Sequence, residues 1–282
     1  MKKLVALISL MLVATLLLSS CAFGGVKIKD YENKVEQEEF VEKLNEALGL
    51  DGEEPFKESW TLKLKGTNTY ESVREYKSGE KVKDTEKYET TVELKYNDDD
   101  KTGYTSNASK ESYKSEEGKS TSKEEDKTFY TEGDGVIYTF DPITKMYREN
   151  ESEVGVYDVM YEELMEEALA AFLGYTRANA EMFDKLEFYI DDNVYTIVVE
   201  NEEEDEEEGT TTTINTVVQI VVDEDEITFV MESTREEKTE NDNYTVTETQ
   251  ETKGTAVLEL GKAKVKEPNK DKYTKWETEQ AA

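Results

Sequence analysis

Histidine is absent from this 282-residue chain, cysteine occurs once, proline three times, and arginine only at Arg74, Arg148, Arg177 and Arg235. Each scarcity excludes something. Without histidine, the serine-activating triad, the commonest general base and the commonest zinc ligand are all missing. A lone cysteine, Cys21, leaves no partner for an intramolecular disulfide. Basic residues number 34 against 67 acidic ones, a formal charge of −33, so a polyphosphate partner would be repelled and nucleic acid is excluded. No glycine-rich phosphate loop with its Lys-Ser/Thr ending is present. The longest apolar run, Leu4 to Leu18, is also shorter than the twenty or so residues needed to span roughly 30 Å of hydrocarbon.

What is present begins at the amino terminus. Lys2 and Lys3 precede that apolar run, and small residues follow it, which is the layout of an export signal over 1–20. The sequence Leu18-Ser19-Ser20-Cys21 then resembles the bacterial lipobox. That resemblance implies cleavage before Cys21, a diacylglycerol on its thiol and a further acyl chain on the new amino terminus. Two or more chains make anchoring stable where one is marginal. The expected organisation is a signal peptide at 1–20, a lipidated tether at 21–30, one domain at 31–276 and a tail at 277–282. The domain is expected outside the cytoplasm, held to the membrane by its acyl chains, and monomeric. Loss of Lys2 and Lys3 takes the charge from −33 to −35, so the folded part should stand off anionic lipid.

Within the domain, apolar residues recur mainly with period two. Trp60, Leu62 and Leu64 alternate with polar neighbours, as do Val92, Leu94 and Tyr96, then Tyr195, Ile197 and Val199, Val218, Ile220 and Val222, and Ile227, Phe229 and Met231. The links between them are short and rich in Gly, Asn, Asp and Ser, too short for parallel crossovers, so the strands should pair as antiparallel hairpins. Lys101 to Lys127 is dominated by Ser, Thr, Lys and Glu and reads as a weak or partly disordered stretch. Two helices are expected to interrupt the strands, Tyr31 to Leu48 after an Asp30 cap and Val156 to Leu173 before Gly174, with a shorter one at Arg177 to Lys185 capped by Thr176.

The expected fold class is therefore α+β: a long, curved, half-barrel-like antiparallel sheet packed against an N-terminal helix and a central helical insertion. That element order, with Gly135 to Asp141 and Lys145 to Tyr147 as a strand pair before the central helices, resembles carrier-type lipoproteins of the LolA and LppX/LprG class. The resemblance implies a hydrophobic cleft between sheet and helices. Its candidate lining is Met160, Leu164, Leu169 and Phe172, which fall on one helical face; the alternative is that the same residues fill a closed core. Two functions follow, a module holding a lipid or other hydrophobic ligand, or a surface interaction protein with a packed core and an acidic face.

Catalytic and metal-ligating residues are not expected, nor is a cofactor. With 67 carboxylates, adjacent pairs such as Glu162-Glu163 arise by chance, and an acid-base couple needs two distinct environments. Glu202 to Glu208 is seven consecutive carboxylates, but a calcium loop spaces its ligands and turns on a glycine. The run reads instead as a solvated hairpin tip between strands ending near Glu200 and starting near Thr210.

Overall fold

The computed structural model describes residues 28–50, 56, 58–115, 118–133, 136–150, 154–165, 170–178, 180–205, 209–241, 243–261, 263–266 and 268–276. Strands dominate them. The strands are β1 (Lys34–Val35), β2 (Trp60–Tyr76), β3 (Lys81–Asn97), β4 (Thr102–Ser115), β5 (Gly118–Gly133), β6 (Val136–Asp141), β7 (Met146–Asn150), β8 (Lys185–Asp191), β9 (Val194–Asp205), β10 (Thr210–Val222), β11 (Glu226–Glu240), β12 (Tyr244–Leu260) and β13 (Thr274–Lys275). The helices are α1 (Gln37–Leu48), α2 (Val156–Glu163) and the single turn α3 (Ala170–Leu173).

All thirteen strands form one open sheet in the order β1-β8-β9-β10-β11-β12-β2-β3-β4-β5-β6-β7-β13. Two antiparallel meanders, β8 to β12 and β2 to β7, meet along β12 and β2, where Trp60 to Tyr76 pair without interruption with Leu260 to Tyr244. Only β13 runs parallel to its neighbour. This is an all-β architecture with small helical appendages, and the expected α+β class with a central helical insertion is wrong. The architectural ground for a likeness to carrier-type lipoproteins goes with it.

The physical reason lies in the ladders. Tracing strands by apolar alternation stops where the alternation stops, yet β2, β3 and β12 each run 17 residues, roughly 55 Å at the usual rise. They continue through Thr, Lys and Glu because every residue keeps its cross-strand partner, and opposite charges and threonines face one another across the rungs. Lys101 to Lys127, expected to be weak, is the hairpin of β4 and β5, paired from Thr102↔Thr131 to Ser115↔Gly118.

The first and third expected helices are shorter than their sequence pattern. Lys34 and Val35 leave the expected first helix to pair with Tyr189 and Phe188, so α1 starts at Gln37, behind Glu36 and not Asp30. Its end is as expected: Gly49 takes φ 67°, and the Gly49 and Leu50 N–H groups donate to the Glu46 and Asn45 carbonyls, a Schellman-type stop. The central helix is described in two pieces, α2 to Glu163 with a wider π turn at 164–165, and α3 ending at Leu173 as expected; residues 166–169 between them lie outside the described set. The third expected helix is a 3₁₀ turn, Ala180–Met182, and Thr176 donates back to the Leu173 carbonyl at 2.7 Å instead of capping it.

The main core cluster sits on one face of the sheet and at one end of the strands, and a smaller buried set, Val198, Val221 and Val230, lies on the other face beside Gln219. Phe40, Leu44 and Leu48 of α1 and Val156 and Met160 of α2 pack over Trp60, Leu62, Leu94, Tyr96, Ile197, Ile220 and Phe229, all buried. Gly103 of β4 makes the seat for α2: a Cβ there would lie 2.5 Å from the Met160 sulfur and 3.2 Å from Val156 Cγ1. Beyond this layer the strands carry on without helical cover among the described residues.

The chain ends bind the opposite, outer face and the sheet's margins. Gln219, buried on the outer face, accepts from the Lys29 N–H at 2.7 Å and donates to the Lys29 carbonyl at 3.0 Å. Asp191 accepts from the backbone N–H of Glu32 at 3.1 Å. Lys34 pairs with Glu187 at 2.7 Å, and Tyr189 donates to the same carboxylate at 2.6 Å. At the other margin Trp276 N–H donates to the Tyr147 carbonyl at 2.7 Å, Tyr273 packs edge-on to Phe140 at 5.0 Å, and the Arg148 guanidinium lies 4.6 Å from the Trp276 ring.

The Lys34 and Tyr189 contacts hold Glu187 down at about 2, well below the usual 4.5. A depressed carboxylate binds fewer protons folded than unfolded, so its stabilisation is present above about pH 4.5 and is lost as pH falls toward 2. Glu187→Gln should therefore lower the urea midpoint near neutral pH, with the gap from wild type closing by about pH 2. A gap that is constant across that window would mean the pair contributes no pH-dependent stability.

Candidate functional site

Three parts of the molecule could offer a working surface: the residues expected to line a cleft, an open cavity, and the uncovered half of the sheet. Met160, Leu164 and Phe172 are each 0% exposed. Phe172 meets Phe229 at 5.2 Å between ring centres, and Met160 presses on Gly103. The structure thus brings three of the four candidate residues into one closed apolar layer; Leu169 lies outside the described residues, as does Cys21. Alternation of apolar residues on a helix face gives the same pattern for a filled core and for a cleft.

A cavity of about 410 Å³ lies elsewhere, between the carboxy end of α1 and the β10–β11 turn. Leu48, Phe56, Val222, Ile227 and Leu260 give it apolar walls, and Glu46, Glu58, Asp223 and Glu224 add carboxylates. It shares no residue with the expected cleft.

The carboxylate run is not the loop expected. β9 continues through Asp205, so Glu202 to Asp205 are paired with Thr213 to Thr210 and alternate between the two faces, while 206–208 lie outside the described residues. Because β8 reaches only as far as Lys185↔Glu200, the far part of β9 has no strand on its other side among the described residues. Carboxylates along such an edge discourage pairing with another chain. No group of three or more acidic or cysteine side chains is placed to hold a metal ion among the described residues.

The uncovered half of the sheet has a charge pattern that only the register reveals. Cross-strand partners share a face, and no bulge breaks the pairing of β2, β3, β4 and β5 with one another or of β9 to β12 with β2. Followed outward from Trp60, every lysine in β1 to β12 falls on the outer face. There they meet glutamates: Lys81 with Glu75 at 2.8 Å, Lys83 with Glu71 at 2.6 Å, and Glu89 between Lys87 at 2.7 Å and Lys110 at 2.5 Å. The helix-side face carries carboxylates without lysine, together with Tyr70, Tyr88 and Tyr113. Burial first, and a hydrogen bond to Glu248 second, push Tyr70 up to about 12, which keeps its hydroxyl protonated as a donor. This two-faced arrangement was missed from the sequence because it needs each strand's register; the period-two spacing of lysines in Lys81-Val82-Lys83 and Lys63-Leu64-Lys65 was its visible trace.

Comparison with known proteins adds little. No protein-family model matches the chain, and no curated protein matches it. Among solved structures, Pseudomonas aeruginosa OpdQ aligns with 72% of this chain at 9% identity and a TM-score of 0.20, and the chain spans 63% of OpdQ's length. A deltaS2 mutant of the TodX monoaromatic hydrocarbon channel aligns over 72% of this chain and 90% of its own, at 8% identity and a TM-score of 0.25. Pseudomonas aeruginosa OccK7 (OpdD) gives 71% and 99% coverage, 6% identity and a TM-score of 0.21. Likeness at this level carries no argument about fold or function.

Proposed function

We propose that the chain is an extracytoplasmic lipoprotein, anchored through acyl chains on Cys21, that works without catalysis as a surface interaction protein. One observation favours this over the carrier reading: Met160, Leu164 and Phe172 are wholly enclosed, while about half the length of the long strands stands clear of the helical layer and offers its side chains to solvent. A carrier needs a concave, largely apolar space that covers most of its ligand; an interaction protein needs an accessible, rigid surface, which a continuous ladder provides. The anchor reading is supported by the charged start, apolar run and small residues before Cys21, and by the docking of Lys29 and Lys34 at the sheet, which would fix where the tether enters the domain.

The test is metabolic labelling of a bacterial culture expressing the full chain with an alkyne fatty acid. Wild type should take up the label and fractionate with membranes, and Cys21→Ala should lose the label completely. Extraction of the purified protein should yield the covalent acyl chains and no stoichiometric free lipid. An unlabelled wild-type chain would end the anchor reading, and a stoichiometric free lipid would restore the carrier.

A further inference from the structure

We infer that the uncovered half of the helix-side face is a docking surface for an extended lysine- or arginine-rich protein segment. The inference rests on the reading above and names the partner class and the face.

The face is unbalanced where its reverse side is balanced. Asp84, Glu86, Glu111, Glu124, Glu237 and Glu248 all register on it. The arginines of β2 and β11, Arg74 and Arg235, are the basic residues that share it in β2–β5 and β9–β12. Arg235 is already taken by Glu237 at 2.6 Å. A sheet that merely needed solubility would scatter lysine over both faces; here lysine is confined to the outer one, and the helix-side surplus of negative charge is left for something else to neutralise.

Aromatic rings stand among these carboxylates. Tyr88 lies between Asn68 and Glu111 in register, and Glu86 between Tyr70 and Tyr113. Tyr88 and Tyr113 are 37% and 41% exposed. A ring beside a carboxylate suits an ammonium or guanidinium group, which gains a charged contact and a ring face together. The spacing favours an extended chain over a small polycation: same-face residues recur about 7 Å apart along a strand, which matches alternate side chains of an extended peptide.

The experiment titrates the full-length chain, in neutral detergent, with a synthetic oligolysine peptide, using an oligoglutamate of equal length as the control. Oligolysine should bind, more weakly as salt rises and the Debye length shortens, and oligoglutamate should not. Glu86→Gln with Glu111→Gln should weaken binding about tenfold, and Tyr88→Ala with Tyr113→Ala about fivefold. Glu71→Gln with Glu75→Gln makes the same change in net charge on the outer face and should alter binding less than about twofold. Circular dichroism confirms that each variant is folded. Equal losses from the two glutamine pairs would show attraction to net charge alone and overturn the docking surface. So would absence of oligolysine binding, or retention of a neutral polysaccharide by this face independent of salt. A chain that takes up the acyl label but ignores oligolysine sinks the surface and leaves the anchor; one that binds oligolysine without the label does the reverse.

Discussion

Aspartate in place of Phe172, or of Leu164, should unfold the domain rather than leave a folded protein that has lost a ligand. Both side chains are 0% exposed, and Phe172 packs on Phe229 beneath α3. Truncating a buried phenylalanine costs about 3–5 kcal/mol by itself. An unpaired carboxylate in the same space adds several kcal/mol more, whether it stays charged or is forced to take up a proton. Against a usual total of about 5–15 kcal/mol, little stability would remain. Far-ultraviolet circular dichroism with urea titration reads the outcome directly. A variant that kept a cooperative transition near the wild-type midpoint would mean that water reaches these positions, and the carrier reading would have to be taken up again. Phe172→Leu, which keeps the apolar contact and loses only part of the volume, should remain folded and serves as the control.

That expectation turns on a distinction the sequence could not make. Met160, Leu164 and Phe172 were identifiable as one apolar face from their spacing, but spacing reports which side of a helix is apolar, not whether a void lies beneath it. The core strands were readable for a related reason: Trp60, Leu62 and Leu64, and Ile227, Phe229 and Met231, alternate because one face of each is covered. The hairpin turns were readable as well, since Lys77 to Glu80, Asp223 to Glu226 and Asn241 to Asn243 combine Gly, Asn and Asp between strands; they join β2 to β3, β10 to β11 and β11 to β12.

The far half of the sheet was not readable in this way. Where neither face is covered, alternation has no cause, and Thr67 to Glu75 or Lys119 to Lys127 give no apolar signal of a strand. What holds them is the partner strand, a property of two segments far apart in sequence, such as Glu71 with Thr249 of β12. The same non-locality explains the helices. Lys34 and Val35 have no local reason to leave a helix; they do so because Tyr189 and Phe188 offer a strand edge. The charge segregation between faces is legible only after the registers are known, because a shift of one residue would move every lysine of a strand to the other side.

Dependence on register makes the seam between β12 and β2 the most sensitive line in the molecule. Proline at Thr252 is expected to abolish cooperative folding of the whole sheet. Thr252 lies between Ser233 of β11 and Asn68 of β2 and is 2% exposed, so its N–H is committed to one neighbour and a pyrrolidine ring has no room. Loss of the bond and the steric conflict cost about 3 kcal/mol or more, and the seam is where the two meanders join. Proline in β5 should behave differently. β6 reaches β5 only at Phe129 to Gly133, so among the described residues the stretch before it has a strand on one side only. Alternate N–H groups there point to the open edge, and of the neighbours Ser120 and Thr121 one should tolerate proline with little loss while the other should not. Thermal melts of the three variants separate the cases. If Thr252→Pro melted near wild type, the two meanders would be stable without their seam, and the sheet would be two units and not one. If Ser120→Pro and Thr121→Pro were equally damaging, the β5 edge would have a partner of its own.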